Sequence, residues 1–216
     1  MERINPKNQS IQSNDYKIQA LSETHIDHAV NTVNRAFINY PLTEHFFGNF
    51  SYSKRLNLYH SSYIIKSALT YGSAIYSGDN IKAVLTGFHS EEYNLTNWKM
   101  IKAGCLMLPF KIGLKALSRI KAYNAFSSRI RRRSAPHKHW FLTMLAVEPA
   151  YQKNGYGQAL MHFMNQALDK INLSSYLETH TKANVKFYEK FGYKLVEENT
   201  VPDSILNLYS MLRLKK

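Results

Sequence analysis

The segment Gln152-Lys153-Asn154-Gly155-Tyr156-Gly157-Gln158 joins a long apolar run to an amphipathic stretch. Glycines at such a turn let the backbone approach a ligand closely, and the free amides of a helix's first turn, with the macrodipole behind them, face an anion. The spacing fits neither common nucleotide motif. A dinucleotide fingerprint wants Gly or Ala where Leu160 stands, and a P-loop needs a Lys-Ser or Lys-Thr pair. A purely structural turn is the other reading of a bare Gly-x-Gly. Downstream, Asn184 and Tyr188 stand four apart, so on a helix both side chains reach the same side. A phenol there can protonate a leaving group, help worth roughly 100- to 10,000-fold; the alternative is a core aromatic with a surface hydroxyl. Glu178 could take a proton from an ammonium, directly or through water, could anchor that cation, or could be a strand-end carboxylate paired with a nearby Lys. His180 could be a base near neutral pH, or a surface or capping residue.

The elements that would position these groups follow in order. Tyr16 to Leu21 alternates as a first strand, and Ser22 or Thr24 can cap a helix with Ile26, Val30, Val33 and Phe37 at helical spacing, which Pro41 ends. A second helix runs through Leu56, Tyr59, Tyr63, Ile64 and Ala68. Ser73–Ser77 and Ile81–Phe88 around Gly78-Asp79-Asn80 form a hairpin. Residues 96–128 give two amphipathic helices broken near Pro109. His139 to Val147 is a long apolar run bounded by Glu148-Pro149, as in a strand buried on both faces. Leu160, Met161, Met164, Ala167, Leu168 and Ile171 recur at helical spacing, so a helix packs back on the sheet. Tyr176 to Thr179 is a further strand, Thr181 caps the helix bearing Asn184, Phe187, Tyr188 and Phe191, and Gly192 ends it. Two strands close the chain, the last from Ile205 to Leu214 with Leu206, Leu208, Leu212 and Leu214 on one face.

The 216 residues suit one domain, and 44% hydrophobic with 20% charged residues excludes disorder and fibrous repeats. No apolar stretch suits a signal peptide or a membrane span, and Cys105 is the only cysteine, so neither a disulfide nor a cysteine metal cage is expected; the cytoplasm is the expected compartment. The net charge is +13, and most of it sits in one place: no acid occurs between Tyr93 and Val147, against eleven Lys and Arg residues. Such a stretch fits a phosphate-bearing cofactor, a nucleic acid, an anionic membrane or simply solvated helix faces. No aromatic-interleaved RNA motif is present, so nucleic acid is not expected.

Taken together, HWFLTMLAVEPAYQKNGYGQALMHFM and YLETHTKANVKFYEKFGYKLV resemble the GNAT superfamily of N-acetyltransferases. The cofactor loop of that superfamily reads Gln or Arg, two residues, Gly, one residue, Gly or Ala. The strand HWFLxxLAVxP, the Leu-Glu-Thr strand, the helix Asn-x-x-Phe-Tyr-Glu-x-x-Gly-Tyr and the early Ala36-Phe37 and Tyr40-Pro41 are similar to the puromycin N-acetyltransferase-like branch. The resemblance implies an α+β fold in one domain over 1–216: a central mixed, twisted sheet of about seven strands, splayed between strands 4 and 5 and flanked by helices. Residues 139–196 would form the cofactor-binding and catalytic core, and 96–133 a basic helical insertion. It implies acetyl-CoA as cosubstrate and no metal. The backbone of Leu145, Ala146 and Val147 would pair with the pantetheine arm. The amides of Gln152, Lys153, Asn154, Gly155, Tyr156, Gly157 and Gln158 would hold the pyrophosphate, with Asn154 tolerating unusual backbone angles and Lys153 adding charge. Asn184 would contact the cofactor arm and Tyr188 would protonate the thiolate. The acceptor would be a small-molecule primary amine, with peripheral membrane contact through 96–133 as a further expectation. The alternative is a non-catalytic protein on the same fold that senses acyl-CoA or binds anionic surfaces.

Overall fold

The computed structural model describes residues 16–48, 53–93, 99, 102 and 107–215. Its frame is a seven-stranded sheet in the order β1-β2-β3-β4-β5-β7-β6. The strands are β1 (Ile18–Ala20), β2 (Ser73–Ser77), β3 (Ala83–His89), β4 (His139–Val147), β5 (Ser174–Thr179), β6 (Lys194–Thr200) and β7 (Asn207–Arg213). Every neighbouring pair is antiparallel except β4 and β5, which run parallel. The helices are α1 (Ile26–Phe37), α2 (Pro41–Phe47), α3 (Ser53–Tyr71), α4 (Leu108–Ile112), α5 (Leu114–Ser134), α6 (Tyr156–Lys170) and α7 (Lys182–Glu189).

Apolar alternation decides which helix covers which face. Ala74, Tyr76, Val84 and Phe88 join α1 and α3 in one cluster through Val30, Val33, Ile65 and Ala68. Ile75, Ala83 and Leu85 face the other way, onto Leu160, Met161, Met164 and Leu168 of α6. In β4 the alternation breaks. Trp140 and Leu142 face α6, whereas Met144 and Ala146 face α1 and α3. The cause is a bulge: Gly87 pairs with Leu142 and Thr86 with Met144, leaving Thr143 extra. One inserted residue flips every later side chain to the opposite face. Thr143 ties itself to Thr86, through hydroxyls 3.0 Å apart and a 3.1 Å bond to the Thr86 carbonyl. Gly87 is required beside it, because a β-carbon there would lie 2.4 Å from Trp140 Nε1.

Several expectations need correction. Pro41 does not merely end α1; it opens α2, because its fixed φ and missing N–H suit a first helical turn. Ile81 belongs to the hairpin turn, with φ of 56°, rather than to β3. The break expected near Pro109 falls at Gly113, which takes φ of 82° between α4 and α5, and Pro109 lies within the first turn of α4. The part of that helical expectation over 96–98, 100–101 and 103–106 lies outside the described residues, as does Cys105. In the last strand Leu206 and Leu208 are buried together, but Tyr209 and Met211 are buried on the opposite face and Leu214 lies exposed beyond β7. A strand paired on both edges and covered on both faces shows no alternation.

Candidate active site

β4 and β5 pair only from His139–Ser174 to Leu142–Leu177. Past the Thr143 bulge the two strands have no paired residues, and a cavity of about 120 Å³ occupies the opening. Its walls include Leu145 from β4, Glu178 and Thr179 from β5, and Asn184 and Tyr188 from α7. Leu145, Ala146 and Val147 pair on their other edge with Leu85, Val84 and Ala83 of β3. Val147 leads into a short 3-10 turn, Pro149–Tyr151, and then the glycine loop. Glu148 fixes that exit by accepting three hydrogen bonds from the Arg35 guanidinium at 2.7–2.9 Å.

The loop exposes Gln152, Lys153, Asn154 and Gln158, half-buries Gly155 and Tyr156, and buries Gly157. It launches α6, so the free amides and the positive dipole end of that helix lie at the loop. The left-handed positions are Lys153, at φ of 66°, and Gly155, at 84°. Asn154 is therefore not the residue that carries the unusual backbone angle. Instead its carbonyl accepts a 2.8 Å hydrogen bond from the Tyr16 hydroxyl. A β-carbon on Gly155 would come within 2.1 Å of that same hydroxyl. Gly157 serves packing: its missing β-carbon would sit 3.1 Å from Val147 Cγ2, so the glycine lets α6 lie close on β4. Beside the loop, Lys82 donates to the Tyr156 hydroxyl at 3.0 Å and lies over the Tyr151 ring. The Gln152 side chain folds back onto the Val147 carbonyl at 3.4 Å.

The spacing argument for α7 holds: Thr181 caps it by accepting from the Asn184 amide at 3.2 Å, and Asn184 and Tyr188 line the same cavity. The Asn184 side-chain amide donates to Thr179 Oγ1 at 3.0 Å. Tyr188 packs its ring in the main core, and burial raises the phenol's pKa well above its ordinary value, which keeps it protonated.

Glu178 lines this cavity and a second, larger one of about 1020 Å³ walled by α3, α5, β3 and β4. It accepts from Ser127 Oγ at 2.6 Å and from the Tyr176 hydroxyl at 2.9 Å. The cation nearest to it is Arg131 of α5, at 4.0 Å, so the partner is an arginine and not the expected lysine. Burial raises the pKa of Glu178, with Arg131 and the two hydroxyls pulling the other way. His180 is neither a surface nor a capping residue. Tyr123 bonds its Nε2 at 2.8 Å and Tyr40 its Nδ1 at 3.2 Å, and burial lowers its pKa to about 3. It is neutral at physiological pH and lines both cavities. Tyr16, Tyr40, Lys82, Tyr123, Ser127 and Arg131 escape the sequence reading as site residues. Of these the signal was present for α5, where Tyr123, Ser127 and Ile130 recur at helical spacing and are all buried.

Residues 122–195 match the sequence profile of the Acetyltransferase (GNAT) domain. The fold is shared with solved structures at low identity. One is the histone acetyltransferase HPA2 and related acetyltransferase from Corynebacterium glutamicum (15% identity over 93% of this chain and 97% of that one, TM-score 0.68). Another is arylalkylamine N-acetyltransferase 2 from Aedes aegypti (12%, 94% and 100%, TM-score 0.65). A third is a chain of the NatC complex bound to Gag peptide and CoA (12%, 93% and 99%, TM-score 0.53). At these identities the likeness establishes the GNAT fold, with its mixed seven-stranded sheet flanked by helices.

Proposed function

We propose that the chain is a cytoplasmic, acetyl-CoA-dependent N-acetyltransferase that acetylates a primary amine of a small molecule by direct attack in a ternary complex. One coincidence carries the reading: the strand opening after Leu142 holds a cavity lined by Asn184 and Tyr188, β4 runs on from it through a short turn to the glycine loop that starts α6, and Glu178 lines both this cavity and the larger one. The profile match over 122–195 covers these elements from mid-α5 to β6 and supports an acetyltransferase.

The residues present fit the cofactor. Amides from Gln152 to Gln158 would hold the pyrophosphate, helped by Lys153 and Lys82, while backbone groups of Leu145, Ala146 and Val147 on the open edge of β4 would pair with the pantetheine arm and Asn184 would contact it. Acetyl-CoA supplies an activated thioester: the amine nitrogen bonds to the carbonyl carbon, the C–S bond breaks and its electron pair leaves on sulfur. Tyr188, held protonated by burial, would give that sulfur its proton. Glu178 would hold the incoming ammonium or, directly or through water, take its proton; desolvation makes the carboxylate a better base. Placement in the puromycin N-acetyltransferase-like branch rests on the sequence motifs, among which Tyr40 joins the α1–α2 corner to Thr179 at the end of β5 and to His180 just beyond it.

A second reading concerns the surface. Met107 at the start of α4 and Phe110 and Leu114 toward the α4–α5 corner are 56%, 79% and 84% exposed, among Lys111 and Lys115, a combination that suits peripheral contact with an anionic membrane. The catalytic proposal is tested by following thiol release from acetyl-CoA against a panel of primary amines, with mass spectrometry of the products. Amine-dependent release with an acetylated amine supports it; tight CoA binding without turnover favours an acyl-CoA sensor.

A further inference from the structure

Buried donors and acceptors in folded proteins are almost always paired, so an orphan at a cavity wall points to what the cavity receives. Three orphans line the 1020 Å³ cavity among the described residues: Arg131 Nη1, His139 Nε2 and, on α3, Ser67 Oγ. Arg131 Nη1 is buried with no hydrogen-bond partner among the described residues. The guanidinium is clamped over the Tyr93 and Phe141 rings at 4.6 and 4.5 Å, and Nη2 donates to Ser128 Oγ at 3.2 Å, so it is held in place rather than free to seek a partner. His139 Nε2 is the second. Its Nδ1 lies 2.7 Å from the His137 carbonyl and must carry the proton there, which leaves a lone pair on Nε2. Glu178, which lines both cavities where Arg131 lines only the larger, is 4.0 Å from Nη1, too far for a hydrogen bond.

The charge of the cavity is equally specific. Its two carboxylates are both matched: Glu178 faces Arg131, and Glu91 pairs with Lys138 at 2.8 Å. Lys121 and Arg132 of α5 also line it and make no ion pair among the described residues. A plain cationic amine would enter against a positive surplus and leave Arg131 unsatisfied. An amine that carries its own anion would satisfy both groups.

We infer that the acceptor is a zwitterion of the amino-acid type, its ammonium received by Glu178 and its carboxylate by Arg131, with its apolar body among the aromatic walls. Glu178 and Arg131 stand 4.0 Å apart, close enough for an ammonium and a carboxylate carried on one carbon to meet one each, and an arginine fork is the side chain suited to a carboxylate. The inference rests on the acetyltransferase reading for its transfer step, in which the amine gains the acetyl group, CoA leaves as the thiol and the carboxylate is untouched.

The test uses matched acceptors at saturating acetyl-CoA: phenylalanine, tyrosine and leucine, each with its amide and its decarboxylated amine. The free acids should exceed both counterparts at least tenfold in kcat/KM for one or more of the three skeletons. Arg131→Met, checked for fold by circular dichroism and CoA affinity, should bring acid and amide to near parity by raising KM for the acid. Amides or amines used as well as the acids by the natural protein would overturn the inference. Calorimetry of the same compounds on CoA-loaded protein separates the two readings: acids that bind without thiol release sustain the zwitterion site and sink acetyl transfer, whereas acetylated amines with no binding of any acid do the reverse.

Discussion

Tyr188 carries the proton argument, and its surroundings make the test clean. The ring packs in the core beside Tyr193 and Phe187, so Tyr188→Phe removes a hydroxyl and leaves the packing. Turnover should fall roughly 100-fold or more with CoA affinity little changed, because the lost interaction belongs to the transition state; undiminished turnover would assign the proton to solvent. His180 makes a pH prediction. Its folded pKa of about 3 lies below the unfolded value near 6.5, so the unfolded chain binds the extra proton and stability rises with pH across that window. Its share is fully present above about pH 6.5 and is lost as pH falls toward 3. Between pH 6.5 and 4.5 the loss should be on the order of 2 kcal/mol, read by denaturant unfolding as the difference between the natural protein and His180→Asn. The types and spacing of Glu178, Asn184 and Tyr188 were legible because they lie on one strand and the helix that follows it. Arg131 was not, because its inward turn is set by where α5 crosses the sheet, and a run of three arginines reads as solvated charge.

At the scale of elements the loop between β4 and α6 decides most. Both glycines were legible as necessary, but for partly different reasons from those the structure gives. Gly157→Val would press on Val147 and lift α6 from β4, an overpacking cost of about 1–3 kcal/mol. Thermal melting should register it together with a rise of tenfold or more in the Kd for CoA. Gly155→Val adds strain at a φ of 84° and displaces Tyr16 from the Asn154 carbonyl, so it too should weaken CoA binding and stability together. A folded Gly155→Val protein with normal CoA affinity would remove the loop from the account. Helices with a clear apolar stripe, α1 and α6, were readable to within a residue or two. The Thr143 bulge was not, since β4 is apolar on both faces and a change of phase leaves no mark in such a run.

For the whole molecule, the +13 charge first suggests an anionic surface or polymer, and the basic residues that pair within the chain leave that surplus unchanged, because every acid is already counted in it. Arg131 faces Glu178, Arg133 bonds Glu197 and Arg35 holds Glu148. Lys111 and Lys115 stand exposed with Phe110 and Leu114 at the α4–α5 corner. Sedimentation with vesicles should rise with anionic lipid content, fall with added salt, and drop in a Phe110→Ser/Leu114→Ser variant; indifference to anionic vesicles at low salt would leave α5 as a cavity wall alone. Strand order and the splay depend on contacts between distant segments, so periodicity could not reveal them; family resemblance supplied the splay, and the strand order comes from the structure. The central claim is direct transfer at the β4–β5 opening, and acetyl-CoA labelled in its acetyl carbon tests it in a single turnover. Without acceptor the protein should stay unlabelled; with a competent amine the label should appear in the amide in amounts equal to the thiol released. Label fixed on the protein before the amine is added, or no transfer to any amine by CoA-loaded protein, would contradict the account.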